Sequence, residues 1–103
     1  MREGEYQRQI IVKLETMFPG CIVLKNDAGY RQGVPDLTVF HNNQWAALEI
    51  KLSVKASRQA NQTYYIDRMN DMSFAAFLCP ENEEEVLNAL QSSFGSGREA
   101  RIP

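Results

Sequence analysis

The 103-residue chain is short of several things, and each shortage removes a class of protein. It has two cysteines and one histidine. Cys21 and Cys79 sit far apart in apolar runs, so neither a disulfide scaffold nor a thiolate metal centre is expected, and both read as buried free thiols. No apolar run nears the length needed to span a bilayer, so the chain is read as a non-membrane protein. Met1-Arg2-Glu3-Gly4-Glu5 has no apolar stretch behind it; no signal peptide is expected, and the cytoplasm is the default compartment. Basic charge is not in excess either. Eleven Lys and Arg against 13 Asp and Glu give a net charge of −2. Taken alone, that balance argues against a protein that coats nucleic acid. What is present, 44% hydrophobic and 23% charged residues, is the composition of one globular domain.

Periodicity supplies the elements. Tyr6, Ile10, Leu14 and Met17 form a helical stripe over residues 3–18, which Pro19-Gly20 stops. Cys21 to Leu24 reads as a strand, and the polar stretch Asn26 to Gly33 as a loop. Leu37 to Phe40 reads as a second strand, Asn42-Asn43 as a tight hairpin turn, and Gln44 to Leu52 as a third strand antiparallel to the second. Leu48, Ile50 and Leu52 fall on one side of that strand and Glu49 and Lys51 on the other. Residues 57–72 read as a helix whose stripe is Tyr65, Met69 and Met72, prolonged backwards by Arg58 and Gln62. Phe74 to Cys79 suits a strand buried on both faces. Asn82 can cap a last helix, with Glu85 completing a capping box and Val86, Leu87 and Leu90 as the apolar face. The expected domain covers residues 1–92, with 93–103 as a flexible tail rich in Ser, Gly and Arg. The helix between strands three and four predicts that those two run parallel in a mixed sheet.

Two short segments carry chemistry: Gly33-Val34-Pro35-Asp36-Leu37 and Leu48-Glu49-Ile50-Lys51. A hairpin closed at Asn42-Asn43 brings Asp36 beside Glu49 or Lys51 and gathers two carboxylates and an ammonium on one sheet. With the backbone carbonyl of Ile50, they make a hard oxygen site suited to Mg²⁺. Lys51 can orient an attacking water or offset charge that develops on a phosphate. The bland alternative is an exposed ion pair on a strand face and a strand-entry turn.

On these residues the chain resembles the PD-(D/E)XK nuclease superfamily, and within it the virus-type replication-repair nuclease (VRR-NUC) domains. The matching residues are Gly33, Pro35-Asp36-Leu37, Glu49-Ile50-Lys51, a Glu on the first helix and a Gln on the helix after strand three. The resemblance implies a restriction-endonuclease-like α/β fold: an αβββαβ core around a mixed four-stranded sheet, here followed by a C-terminal helix. It implies Asp36, Glu49, Lys51 and Gln62 as catalytic residues, with Gln59 as the alternative to Gln62. The metal ligands would be Asp36, Glu49, the Ile50 carbonyl and Glu5, with Glu3 as the weaker first-helix candidate. The implied cofactor is Mg²⁺ with Mn²⁺ as substitute. The implied activity is endonucleolytic cutting of branched or structured DNA, Holliday-junction-resolvase-like, by a two-fold dimer. A bacterial cytoplasm or a phage-infected host would be the setting.

Charge distribution then modifies the first impression. Residues 25–58 hold Lys25, Arg31, Lys51, Lys55 and Arg58 against Asp27, Asp36 and Glu49, while 81–85 hold four Glu and no base. Lys25, Asn26, Arg31, Lys55 and Arg58 are therefore the expected DNA contacts, although Asn26 would serve equally in an Asx turn. Tyr30, Tyr64 and Trp45 have faces that could stack on bases, but packing is the commoner use of such rings. His41, alone beside the hairpin turn, is expected to be solvated. The rival readings are a non-catalytic DNA-binding or complex-assembly module on the same fold, and a purely structural domain.

Overall fold

The computed structural model describes residues 1–27 and 29–99, without the side chains of 96–99. Helix α1 (Glu3–Met17) buries Tyr6, Ile10 and Leu14, which recur on one face at helical spacing. Strands β1 (Ile22–Lys25), β2 (Leu37–His41) and β3 (Gln44–Ile50) follow as an antiparallel meander. Helix α2 (Ala60–Met72) then crosses to β4 (Phe74–Leu78), which pairs parallel to β3, and α3 (Glu83–Glu99) completes the order. The sheet runs β1-β2-β3-β4. Among the described residues no helix is long and apolar enough to cross a membrane.

The β2–β3 register matters most for the site. Asn42 takes up φ 58°, the left-handed conformation a tight turn needs. The hairpin it closes pairs Leu37 with Leu48. One step further out, Asp36 lies across from Glu49, where its amide donates to Glu49 Oε1 at 3.2 Å.

The two sheet faces are covered differently. Leu37, Val39, Ala46, Leu48, Ile50 and Leu78 pack against Tyr6, Ile10 and Leu14 of α1 and Val86, Leu87, Leu90 and Phe94 of α3. Glu83 ties those two helices together, accepting from Tyr6 Oη at 2.7 Å and pairing with Lys13. The opposite face holds a smaller cluster, Ala47, Ala75 and Phe77 under Ile66 of α2, with Trp45 and Met69 at its margin. Cys21 and Cys79 are both free thiols.

Several boundaries differ from the sequence reading. β3 ends at Ile50, and Leu52 is exposed. The next amide, Lys51 N–H, still bonds the Leu78 carbonyl at 2.8 Å. α2 begins at Ala60 rather than 57, and its buried residue is Ile66. The inward stripe is therefore Gln62, Ile66 and Met69, not Tyr65, Met69 and Met72. Gln62 and Met69 belong to both; Ile66, one residue and 100° beyond Tyr65, takes the inward place, and Met72 is exposed. Asn82 does not form the expected capping box. Its side chain turns back to the end of β4, accepting from Cys79 N–H at 2.8 Å and donating to the Phe77 carbonyl at 3.1 Å.

The expected tail is also corrected. α3 continues to Glu99, so residues 93–99 are helical; residues 100–103 lie outside the described residues. Phe94 is buried, its ring 5.1 Å from Phe18 and 5.9 Å from His41. It lies four residues after Leu90, on the same stripe, where the surrounding Ser and Gly hide the pattern. His41 is accordingly not a solvated turn residue, because its ring packs against both Phe18 and Phe94.

Candidate active site

The α2-facing side of β3 carries Trp45, Ala47 and Glu49 in alternation. Ala47, with its register partner Ala75 on β4, leaves room for α2, and the row then ends on a carboxylate. Glu49 is only 5% exposed, which overturns the picture of an exposed strand-face ion pair. Its second oxygen, Oε2, accepts from Gln62 Nε2 at 3.0 Å and lies 3.7 Å from Lys51 Nζ. Lys51 Nζ donates in turn to Gln62 Oε1 at 3.0 Å. Gln62 Oε1 also accepts from the Gln59 backbone N–H at 3.1 Å, at the first turn of α2. One glutamine thus links the helix start, the lysine and the buried glutamate, with both ends of its amide satisfied.

Asp36 is held from the other side. Its Oδ2 accepts from Ile50 N–H at 2.8 Å, so the Glu-x-Lys strand fixes the aspartate while the aspartate's own amide fixes Glu49. The approach to Asp36 is also clamped. Asn26 Nδ2 donates to the Pro35 carbonyl at 2.8 Å and to Thr38 Oγ1 at 2.9 Å, and Asn26 N–H donates to the Asp36 carbonyl at 2.8 Å. Asn26, expected as a DNA contact or in an Asx turn, braces the loop against β2. Gly33 has φ 90°, and a Cβ there would come within 2.8 Å of Asn61 on α2. Only glycine lets the loop lie this close to the helix.

Burial is the main cause of the electrostatics. The Glu49 pKa is raised from its ordinary 4.5 to about 7, chiefly by desolvation and next by the Asp36 charge, with Lys51 opposing both. Asp36 is raised as well, chiefly by burial, against the Ile50 amide and the Lys51 and Lys25 charges that lower it. The pair therefore holds a proton towards neutral pH. A cation in its place would satisfy the same oxygens.

The two first-helix acids lie on different sides of α1. Glu3, seven residues before Ile10, shares the inward side of α1, and its charge contributes to raising Glu49. Glu5 lies on another side, with Arg8, Gln9, Val12 and Lys13 along a shallow exposed hollow. The seven-residue spacing from Ile10 is what separates Glu3 from Glu5. Gln59 contributes its backbone amide here.

Among the described residues no group of three or more His, Cys, Asp and Glu side chains gathers as a metal site. Two carboxylates and a neighbouring backbone carbonyl fit a hard, hydrated ion such as Mg²⁺, which takes one or two carboxylates and keeps several waters. The donors are all oxygen, which excludes a soft-metal centre.

The expected DNA contacts disperse around this pair. Arg58 lies over the Phe77 ring, 4.0 Å from its centroid, and Phe77 is the register partner of Glu49. Lys25 is close enough to act on Asp36. Arg31 is exposed and donates to Tyr65 Oη at 3.3 Å. Lys55 is exposed in the 51–59 connection.

No family model matches the chain, and no relative is found among curated sequences. Among solved structures it is similar to Hjc, a Holliday junction resolvase from the archaeal hyperthermophile Archaeoglobus fulgidus. The match covers 74% of this chain and 67% of that one, with a TM-score of 0.53 and 14% identity. The fold is restriction-endonuclease-like. At that identity the likeness is one of fold, and the restriction-endonuclease-like core positions Asp36 and Glu49 by its own hairpin register.

Proposed function

We propose that the chain is a metal-dependent DNA endonuclease of the PD-(D/E)XK type, closest in character to VRR-NUC domains, acting on branched or structured DNA. The supporting observation is the closed arrangement of Asp36, Glu49, Lys51 and Gln62. A structural ion pair needs neither the second carboxylate nor a glutamine that bridges both groups. In this reading Asp36, Glu49 and the Ile50 carbonyl hold Mg²⁺, or Mn²⁺ in its place, with Glu3 as the helix carboxylate nearby. The chemistry a bound cation supplies is Lewis acidity, which eases loss of a proton from water and offsets phosphate charge.

The protein's own groups do the rest. Glu49 in its ionised form would be a ligand for the cation, and Gln62 would hold its carboxylate in place. Lys51, held by Gln62, faces the scissile phosphate and stabilises the extra negative charge as water attacks in line. Arg58, Lys25 and Arg31 hold the flanking phosphates, so binding weakens as salt rises. The likeness to a resolvase supports a four-way or flap junction as substrate and a second copy as partner, because two symmetric cuts need two active sites.

The test is a cleavage panel of plasmid, duplex, flap and four-way-junction DNA with Mg²⁺ and with Mn²⁺. Cutting that requires the metal and disappears in both Asp36→Ala and Lys51→Ala is expected. Binding without cutting under every condition would replace this reading with the non-catalytic DNA-binding module.

A further inference from the structure

Three tyrosines that the proposed chemistry does not use form, with Arg31, a surface strip beside the candidate site. Tyr30 is 84% exposed on the loop that leads to Pro35-Asp36. The Arg31 guanidinium lies 5.9 Å from the Tyr30 ring centroid and reaches across to α2, donating to Tyr65 Oη at 3.3 Å. Tyr64, 59% exposed, meets the Tyr65 ring edge-on at 5.3 Å. The strip therefore runs Tyr30, Arg31, Tyr65, Tyr64 without a gap. Its position follows from α2. Tyr65 is three residues beyond Gln62, about 5 Å along the helix axis, and Gln62 touches Glu49. That offset is one to two base steps of about 3.4 Å in a nucleic-acid strand.

Core packing does not explain these rings. The α2 residue that enters the core is Ile66, and Tyr30 belongs to no core cluster. Single exposed aromatics are ordinary, but an arginine-bridged row of them is not scattered surface. Flat rings with a guanidinium between them present what an unpaired base stacks on, with a positive charge for its phosphate. A base inside a duplex has no free face to offer.

Building on the nuclease reading, we infer that Tyr30, Arg31, Tyr65 and Tyr64 form a stacking platform for unpaired bases next to the scissile phosphate. The platform narrows the substrate class to DNA with unstacked or single-stranded nucleotides at the cutting point, such as a flap base or an open junction centre. Fully paired duplex engages the cationic groups alone.

The experiment is binding by the full chain in EDTA, where nothing is cut. The probes are a single-stranded 12-mer carrying one 2-aminopurine and the same 12-mer in duplex form. Wild-type protein is expected to quench the fluorophore in the single strand, because stacking on a ring quenches it. The Tyr30→Ala, Tyr64→Ala double variant should lose that quenching and bind the single strand about tenfold more weakly. Its affinity for duplex should change by no more than about twofold, since phosphate contacts remain. The Tyr30→Phe, Tyr64→Phe variant should retain the quenching, because it keeps the rings and removes only the hydroxyls. Unchanged single-strand affinity in the alanine variant, equal losses on both probes, or no quenching by wild type would each overturn the platform. The readout is separate from cutting. Wild type that quenches but cleaves no DNA with Mg²⁺ or Mn²⁺ sinks the nuclease reading, whereas wild type that cleaves without quenching sinks the platform.

Discussion

The two faces of β3 are built from alternate residues of one short strand, yet they do opposite work. Ala46, Leu48 and Ile50 disappear into a continuous apolar layer between the sheet and two helices. Trp45, Ala47 and Glu49 face a single helix, and that layer is thin enough for a carboxylate, a lysine and a glutamine to reach its edge. The thick face gains stability from area removed from water. The thin face spends some of that gain, since it holds two carboxylates in a dry setting where their charged forms are disfavoured. The candidate site thus lies where the core runs out, on the same strand that the core immobilises.

This division can be broken experimentally. The largest expected effect is on the thin face. Asp36→Ala should lower metal-dependent cleavage by more than about a thousandfold, measured as initial rate on the preferred junction, while the melting curve moves little. On the thick face Leu48→Ala should show the reverse. It should cost about 3 kcal/mol of unfolding free energy by urea titration, and the molecules still folded should cleave at near the wild-type rate. If Leu48→Ala loses cleavage out of proportion to folding, the faces are not separable.

The pH dependence sharpens the comparison next. Glu49 has its pKa raised from 4.5 to about 7 in the folded chain, so between those values the folded state holds a proton the unfolded state has released. Its contribution to stability is fully present below about 4.5 and is lost as pH rises through about 7. Without metal, wild type minus Glu49→Gln should therefore show stability falling by about 2 kcal/mol between pH 4.5 and 7.5, by urea titration. A flat difference would mean that Glu49 is not desolvated. Cleavage should rise over the same interval, because the carboxylate must be free of its proton to take a cation.

Smaller effects concern positioning. Gln62→Ala should lower cleavage about tenfold, because Lys51 and Glu49 lose their shared partner without losing their charges. Last come the two acids of α1. Glu3→Gln should weaken the dependence on Mg²⁺ concentration by a few-fold, whereas Glu5→Gln should leave it within about twofold. Equal effects would remove the assignment of Glu3 to the site side.

The hairpin was readable because it is local. A turn at Asn42-Asn43 and a period of two suffice to set Asp36 opposite Glu49, and the register bears this out. Gln62 was readable as a polar residue prolonging an apolar stripe, and it does meet Glu49 even though Ile66 rather than Tyr65 is the buried member of that stripe. Asn26 was not readable. A polar residue in a loop of Asp, Gly, Arg and Gln has nothing local to show that its amide will be used on Pro35 and Thr38. Glu3 and Glu5 differ in sequence by two positions and in direction by about 200°, and only the packing of Tyr6 and Ile10 shows which direction is inward. Phe94 was lost to composition, since serines and glycines around it look like a tail until Phe18 and His41 are seen to receive it.

By itself, then, the sequence determined the order of elements, the mixed sheet, and the pairing of Asp36 with Glu49, all of which follow from periodicity and turn chemistry acting over short distances. It also held the mild acidity of the chain, which now reads as a carboxylate pair, an acidic start to α3 and cations kept near the site. Tertiary structure alone decided how deeply Glu49 is buried, which acid of α1 lies near it, and that Arg31 bridges Tyr30 to Tyr65. Those are consequences of which helix covers which face. Coverage depends on contacts between residues far apart in the chain, and no local pattern encodes them.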